Sequence, residues 1–284
     1  MSKMTYALQA GVLKHISTVP NGLACDCICP ACKSRLVARK GQKKQAHFAH
    51  YKIDECIGGY ETSLHLLAKE VLEKEQCFSI PELSMPNENY ESGLISKERV
   101  IQTEEVVIEP SYDGIVPDLF IKAKGRTLLI EIYVTHKVDE VKGNKVRNKK
   151  SSMIEIDLSK INREITYMEL KDILINNSTN KVWVYNNVKE HCREDLRRIA
   201  KQYIVKTHGL ASHTMGCPLN KRIWNGRGYA NLIDDCFYCK YLFERHDYEE
   251  FEGDNHTPFV LCTGEVKVGD FKEYRQYKRT TDNN

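Results

Sequence analysis

No stretch of this sequence reaches the roughly 18 consecutive apolar residues that a membrane-crossing helix needs. Its first residues, MSKMTYALQAGVLKHI, also lack the apolar centre of a secretory signal. A cytoplasmic protein with no membrane partner is therefore expected. The sequence has little net charge: 42 Lys and Arg against 39 Asp and Glu leave a formal +3, which neither requires nor forbids a polyanionic partner. Several enzyme signatures are missing as well. The absence of a Walker A loop excludes an NTP-driven motor, and the absence of His-Glu-x-x-His excludes a zincin. No His-x-Glu precedes a Pro-Cys-x-x-Cys, so a zinc deaminase is excluded. There is no internal repeat, and the only biased tract is the polar end KRTTDNN.

What remains is an ordinary globular composition, 41% hydrophobic and 29% charged over 284 residues. That length suits one main domain of about 150 residues with appendages. The eleven cysteines cluster near the two ends, apart from Cys77 and Cys192, which read as isolated buried thiols. In a reducing compartment such clusters point to metal rather than disulfides.

The first cluster pairs the knuckle Cys29-x-x-Cys32 with His50 and Cys56, a closed set of the kind that holds structural zinc in a tetrahedron. Cys27 and His47 are reserve ligands, because more candidates than places are present. The second cluster joins the knuckle Cys236-x-x-Cys239 to Cys217 and Cys262 across gaps of 18 and 22 residues. There His208, His213, His246 or His256 would be able to replace a cysteine.

Between the clusters, Leu64, Leu67, Ala68, Val71 and Leu72 recur at helical spacing, so 61–75 reads as a helix. RVIQTEEVVIE, DLFIKA, TLLIEIYV, MIEIDLS and KVWVYNN are short, branched and turn-bounded, as strands are. Helical stretches near 138–149 and 163–175 alternate with the last three strands, an α/β pattern. The expected division is N-terminal strands and a zinc module over 1–59, a core over 60–190, a linking helix over 191–207, a second zinc module over 208–270 with little core of its own, and a polar tail over 271–284.

Asp118 follows Pro117 at a strand start, and Glu131 lies in the next strand, about one hairpin away. A carboxylate inside an apolar strand costs several kcal/mol unless it is paired. Two such groups meeting at one point would bind Mg²⁺ or Mn²⁺, leaving places for water and phosphate. A metal held there lowers the pKa of its water and promotes phosphodiester hydrolysis. Glu61, His65 and Lys69 form one stripe on the 61–75 helix, able to lean over these strands as an outer ligand and as phosphate or water contacts. KGNKVRNKK, with five basic residues in nine, offers a landing place for a polyanion or simply a solvated helix face.

Asp118, Glu131-x-Tyr133, an upstream helix bearing Glu61 and a following basic helix resemble the PD-(D/E)XK nuclease superfamily. The ordered series CPACKSRLVARKG, HFAH, ETSLHLLAKE, PD, IEIYVTHKVDEVK and IEIDLS, over about residues 20 to 160, resembles the competence protein CoiA-like family. The resemblance implies a restriction-endonuclease-like mixed sheet flanked by helices, zinc-stabilised ends, and a DNA nuclease acting in recombination, uptake or defence. Other recombination or defence proteins and a second copy of the chain would be further partners. The superfamily places lysine two residues after the glutamate, where Tyr133 stands here. Lys69 is the first candidate to replace it, ahead of His136 and His65, since a tyrosine with a pKa near 10 is a poor base at neutral pH. The competing expectations are a catalytically inactive nuclease-fold DNA-binding or scaffold protein, and an adaptor built on the zinc modules.

Overall fold

A computed structural model describes residues 4–41, 45–54, 56, 58–86, 93–162, 165–246 and 257–281. The chain divides into two compact units, one of Met1–Pro81 with Glu98–Asn186, the other of Glu82–Lys97 with Asn187–Asn284.

The first unit is built on a mixed five-stranded sheet. Its strands lie in the order Glu105–Ile108, Leu119–Ala123, Arg126–Tyr133, Met153–Asp157 and Lys181–Tyr185. All neighbours are antiparallel except Arg126–Tyr133 and Met153–Asp157. A parallel pair needs a crossover, and the helix Glu140–Asn148 lies in that connection. Side chains alternate between the faces. Leu119, Ile121, Ile130, Ile132, Ile154 and Ile156 pack with helices on one side, while Leu129 and Met153 meet Val146 on the other. Fully burying each such side chain contributes roughly 1.5–3 kcal/mol. By the same alternation Glu131 and Tyr133 share the face of Leu129.

Three helices cover this sheet: α1 (Gly59–Glu75), α2 (Glu140–Asn148) and α3 (Tyr167–Ile175). The apolar positions read from the sequence bury α1, which stops where Gln76 turns left-handed at φ 49. Asp139 caps α2 by accepting from Lys142 N, and Thr166 with Glu169 forms a capping box on α3. Buried Lys181 donates to Leu174 O at 2.8 Å and to Asn177 O, satisfying carbonyls at the far end of α3. α1 and α3 share the Leu119/Ile130 side, and α2 takes the opposite one.

RVIQTEEVVIE is two strands rather than one. Arg99–Gln102 pairs with Cys77–Ile80 in a separate ribbon, and only Glu105–Ile108 joins the central sheet. Toward the N-terminus, Tyr6–Gln9 and Val12–His15 form a hairpin through Ala10 and Gly11, both at positive φ. A second hairpin pairs Leu36–Arg39 with His47–His50.

The second unit departs most from expectation. The helix α4 (Asn187–Ile199) stops short, and Lys201–His208 is a strand, so 191–207 is not one linking helix. Within that strand Tyr203 and Val205 are buried while Gln202, Ile204 and Lys206 are exposed, a period of two. The segment after 208 has more core than expected. It completes a six-stranded sheet around Tyr203, Val205, Leu232, Leu242 and Val260. The supposed polar tail carries the amphipathic helix α5 (Phe271–Thr281), whose Tyr274 is buried with Cys192, Leu196 and Phe243.

Candidate functional site

Asp118 sits just before the strand Leu119–Ala123, beside Glu131 in the neighbouring strand. Each carboxylate holds the other's strand: Asp118 N donates to Glu131 Oε1 at 3.2 Å, and Ile132 N, next to Glu131, donates to Asp118 Oδ2 at 2.8 Å. Both carboxylates are mostly buried, with 15% and 14% of their side chains exposed. Each has drawn in a cation. Lys69 Nζ, from α1, is 2.6 Å from Asp118 Oδ1 and 2.7 Å from Glu109 Oε1; Lys142 Nζ, from α2, is 2.5 Å from Glu131 Oε1 and donates to Val116 O at 2.9 Å. The two lysines thus approach from helices on opposite faces of the sheet.

The surroundings set different ionisation behaviour for the two acids. Burial opposes the charge on Asp118, but hydrogen bonds from His65 and Lys69, the Lys69 charge and the Ile132 amide outweigh it and hold its carboxyl well below the usual range. For Glu131 burial wins, helped by the nearby Asp118 charge and opposed by Lys142, so its carboxyl titrates above the ordinary value. Lys69 is only 3% exposed; burial alone would favour its neutral form, yet Asp118 and Glu109 keep it protonated to a higher pH than usual.

Of the α1 stripe, His65 and Lys69 reach Asp118, with His65 Nδ1 at 3.5 Å from Oδ1. Glu61, one turn nearer the N-terminus, contacts neither carboxylate among the described residues. Tyr133 lies under the ammonium of Lys137, 5.4 Å from the ring centre, and His136 is exposed beyond the strand end. Lys142, Glu109 and Glu155 were not singled out from the sequence. Lys142 was legible only as one member of a basic run. Glu155 pairs in register with Glu131, and its Oε2 accepts from Val138 N at 2.6 Å, which anchors the segment leading to the cap of α2.

The second constellation in this unit is Cys29, Cys32, His50 and Cys56, whose ligand atoms all lie within 4.8 Å of one another. Cys29 Sγ and Cys56 Sγ are 3.6 Å apart, and Cys32 Sγ is 3.2 Å from His50 Nε2. A tetrahedron with 2.3 Å zinc–sulfur bonds has edges of about 3.8 Å, so the set can hold zinc. The reserves are occupied elsewhere: Cys27 Sγ points to Cys25 O, and His47 Nδ1 to Gln45 O. Residues 23–57 match the family model described as Competence protein CoiA, N-terminal domain. The chain is CoiA-like over that segment. The match contains all four ligands and ends ahead of the carboxylate site. No curated protein and no solved structure matches the chain.

The CoiA-like segment runs directly into α1. Gly59, the first residue of that helix, lies so close to the ligands that a Cβ there would come within 3.3 Å of both Cys29 Sγ and Cys56 Sγ. No side chain caps this end of α1. Three thiolates and one imidazole on Zn²⁺ carry a net charge of −1, which is favourable against the positive end of a helix dipole. The four candidate ligands and the helix carrying His65 and Lys69 are therefore in direct contact.

In the second unit Cys217, Cys236, Cys239 and Cys262 line one small cavity. Cys239 N donates to Cys236 O at 2.9 Å, closing the knuckle turn. Arg222 braces the preceding turn through Asp234 and Asp235. No histidine lines this cavity among the described residues. Thr214 faces Cys236, so the adjacent His213 points away and packs on Tyr229 and His208. His246 stacks on Phe259, and His256 lies outside the described residues.

Proposed function

We propose that the protein is a metal-dependent deoxyribonuclease with a restriction-endonuclease-like core, hydrolysing phosphodiester bonds at Asp118 and Glu131. The observation that carries this reading is the reciprocal clasp of the two acids, each mostly buried and each met by a lysine. Their oxygens are the hard donors Mg²⁺ or Mn²⁺ takes, and the depressed titration of Asp118 keeps one ligand anionic throughout the neutral range. A divalent ion would supply a more acidic water and charge neutralisation on the phosphate. Lys142 is the favoured replacement for the strand lysine, because it meets Glu131 itself and is a quarter exposed. There it can orient a water and donate to the scissile phosphate. Lys69 keeps Asp118 ionised and in place, and His65 adds a donor on the same oxygen.

We further infer two structural zinc ions. The first is held by Cys29, Cys32, His50 and Cys56, and the second by Cys217, Cys236, Cys239 and Cys262, where soft thiolates favour zinc over the hard cation of the carboxylate site. The test of cleavage is incubation of the full chain with single-stranded, double-stranded and branched DNA in Mg²⁺ or Mn²⁺, alongside Asp118→Ala and Glu131→Gln. Cutting by the wild type, lost in both variants at unchanged zinc content, is the expected result.

A second reading also has an observation behind it. Both carboxylates are paired with lysines, and Tyr133 stands at the strand position of the superfamily lysine. A nuclease fold that binds DNA without cutting it would show the same pairs. Equal DNA binding by all three proteins, with every substrate left intact, would establish that reading instead.

A further inference from the structure

Within the second unit, α5 presents two unlike faces. Phe271, Tyr274 and Tyr277 turn inward onto Cys192, Leu196 and Phe243, and Tyr274 donates to buried Asp195. Lys272, Arg275, Gln276 and Arg279 turn outward and line an open groove together with Leu94, Lys240 and Asp270. The groove encloses about 790 Å³. That is far more room than one bound ion takes.

The charges lining the groove do not cancel. Lys240 is paired with Glu273 at 2.6 Å and Asp270 at 3.5 Å, and Asp270 also caps α5 through Glu273 N. Lys272, Arg275 and Arg279 are exposed and have no carboxylate partner among the described residues. Three uncompensated cations therefore lie on one side of a single helix. From Lys272 to Arg279 the helix rises about 10.5 Å, the length of roughly three nucleotides of stacked strand.

We propose that this groove binds the phosphate backbone of single-stranded nucleic acid. The cations meet successive phosphates. The exposed edge of Leu94 and the half-buried ring of Phe271 give the floor an apolar character on which bases can lie. A duplex keeps its base faces stacked inside and has no use for such a floor, and a flat lipid surface does not enter a concave groove. The site is separate from Asp118 and Glu131, and its binding function stands whether or not the chain cuts DNA.

The experiment is anisotropy of a labelled oligodeoxythymidine with the full chain, without added divalent cation, across a range of salt. Wild type is compared with the triple variant Lys272→Ala, Arg275→Ala, Arg279→Ala. These side chains are exposed and outside the carboxylate site, so cleavage and folding serve as internal controls. The expected result is at least tenfold weaker binding by the variant, with a salt slope shallower by about 2, the value for three phosphates on a single strand. Equal affinity of the two proteins, or no binding by the wild type, overturns the proposal. So does a variant that loses only its affinity for anionic vesicles. Cleavage assayed in parallel with Mg²⁺ reports on the carboxylate site alone, so either reading can fail without the other.

Discussion

Lys142 Nζ stands 2.5 Å from Glu131 Oε1, on the face of the central sheet opposite the helix that supplies Lys69 to Asp118. In the nuclease reading proposed above, the crossover helix that follows would deliver the cation for which the strand offers only Tyr133. The two lysines are expected to differ in kind. Lys142→Ala removes a lysine that is a quarter exposed from an acid as buried as Asp118 but already inclined to take up a proton, so it should reduce cleavage by about 10²- to 10⁴-fold, the usual contribution of a positioned acid or base, at a smaller cost in stability than Lys69→Ala. Lys69→Ala strands a buried carboxylate and should cost about 3–5 kcal/mol. Single-turnover cleavage and urea unfolding of both variants separate these effects. Equal kinetic losses at equal stability would remove the distinction.

Gly59 makes the zinc ligands and α1 neighbours. Gly59→Ala places a methyl within 3.3 Å of two sulfurs that a bound zinc would hold rigid. The variant should fold but release zinc to a chelator faster than the wild type. Restoration of the wild-type rate by a compensating change elsewhere is not expected, since the contact is with the ligand atoms themselves. A colorimetric zinc-release assay reads this directly, and unchanged release would mean the helix end does not press on the site.

Zinc stoichiometry tests the two cysteine sets separately. Two ions per chain are expected for the wild type and one each for Cys32→Ser and Cys236→Ser by elemental analysis. Loss from the first set should also lower DNA cleavage, because α1 carries His65 and Lys69 to Asp118. Loss from the second should chiefly destabilise its own unit, whose sheet encloses Cys236 and Cys262 among its core contacts.

Asp195 joins α4 to α5. It accepts from Tyr274 OH at 2.7 Å and is ion-paired with Arg198 and Lys278. Burial opposes its charge, but the Tyr274 hydroxyl and Lys278 outweigh burial and depress its carboxyl. The native state therefore holds fewer protons than the unfolded chain just below the ordinary carboxylate range. Its stabilising effect is full above that range and is lost as pH falls toward the depressed value. Asp195→Asn should cost stability at pH 6 and progressively less toward pH 3. Urea unfolding at both values, followed by a probe in the second unit, measures the difference; a constant gap between the two proteins would contradict it.

Much of this was readable along the chain. The apolar spacing of Leu64 to Leu72 specified α1, the short branched runs specified four strands of the central sheet, and the Cys29, Cys32, His50 and Cys56 set stood out by residue type and spacing. The strand Lys201–His208 was missed because Ile199, Ala200, Tyr203 and Ile204 satisfy a helical spacing as well as an alternating one, and only pairing with Phe259–Cys262 settles which applies. The helix α5 was missed because its apolar content is three aromatic residues among many charges.

Local sequence by itself determined which segments coil and which extend, and which side chains are chemically able to bind metal, because backbone periodicity and donor type are properties of short stretches. Tertiary structure decided which lysine meets which acid. Lys69 and Lys142 lie 49 and 11 residues from the carboxylates they neutralise, and only packing α1 and α2 on opposite faces of one sheet brings each ammonium to its own partner.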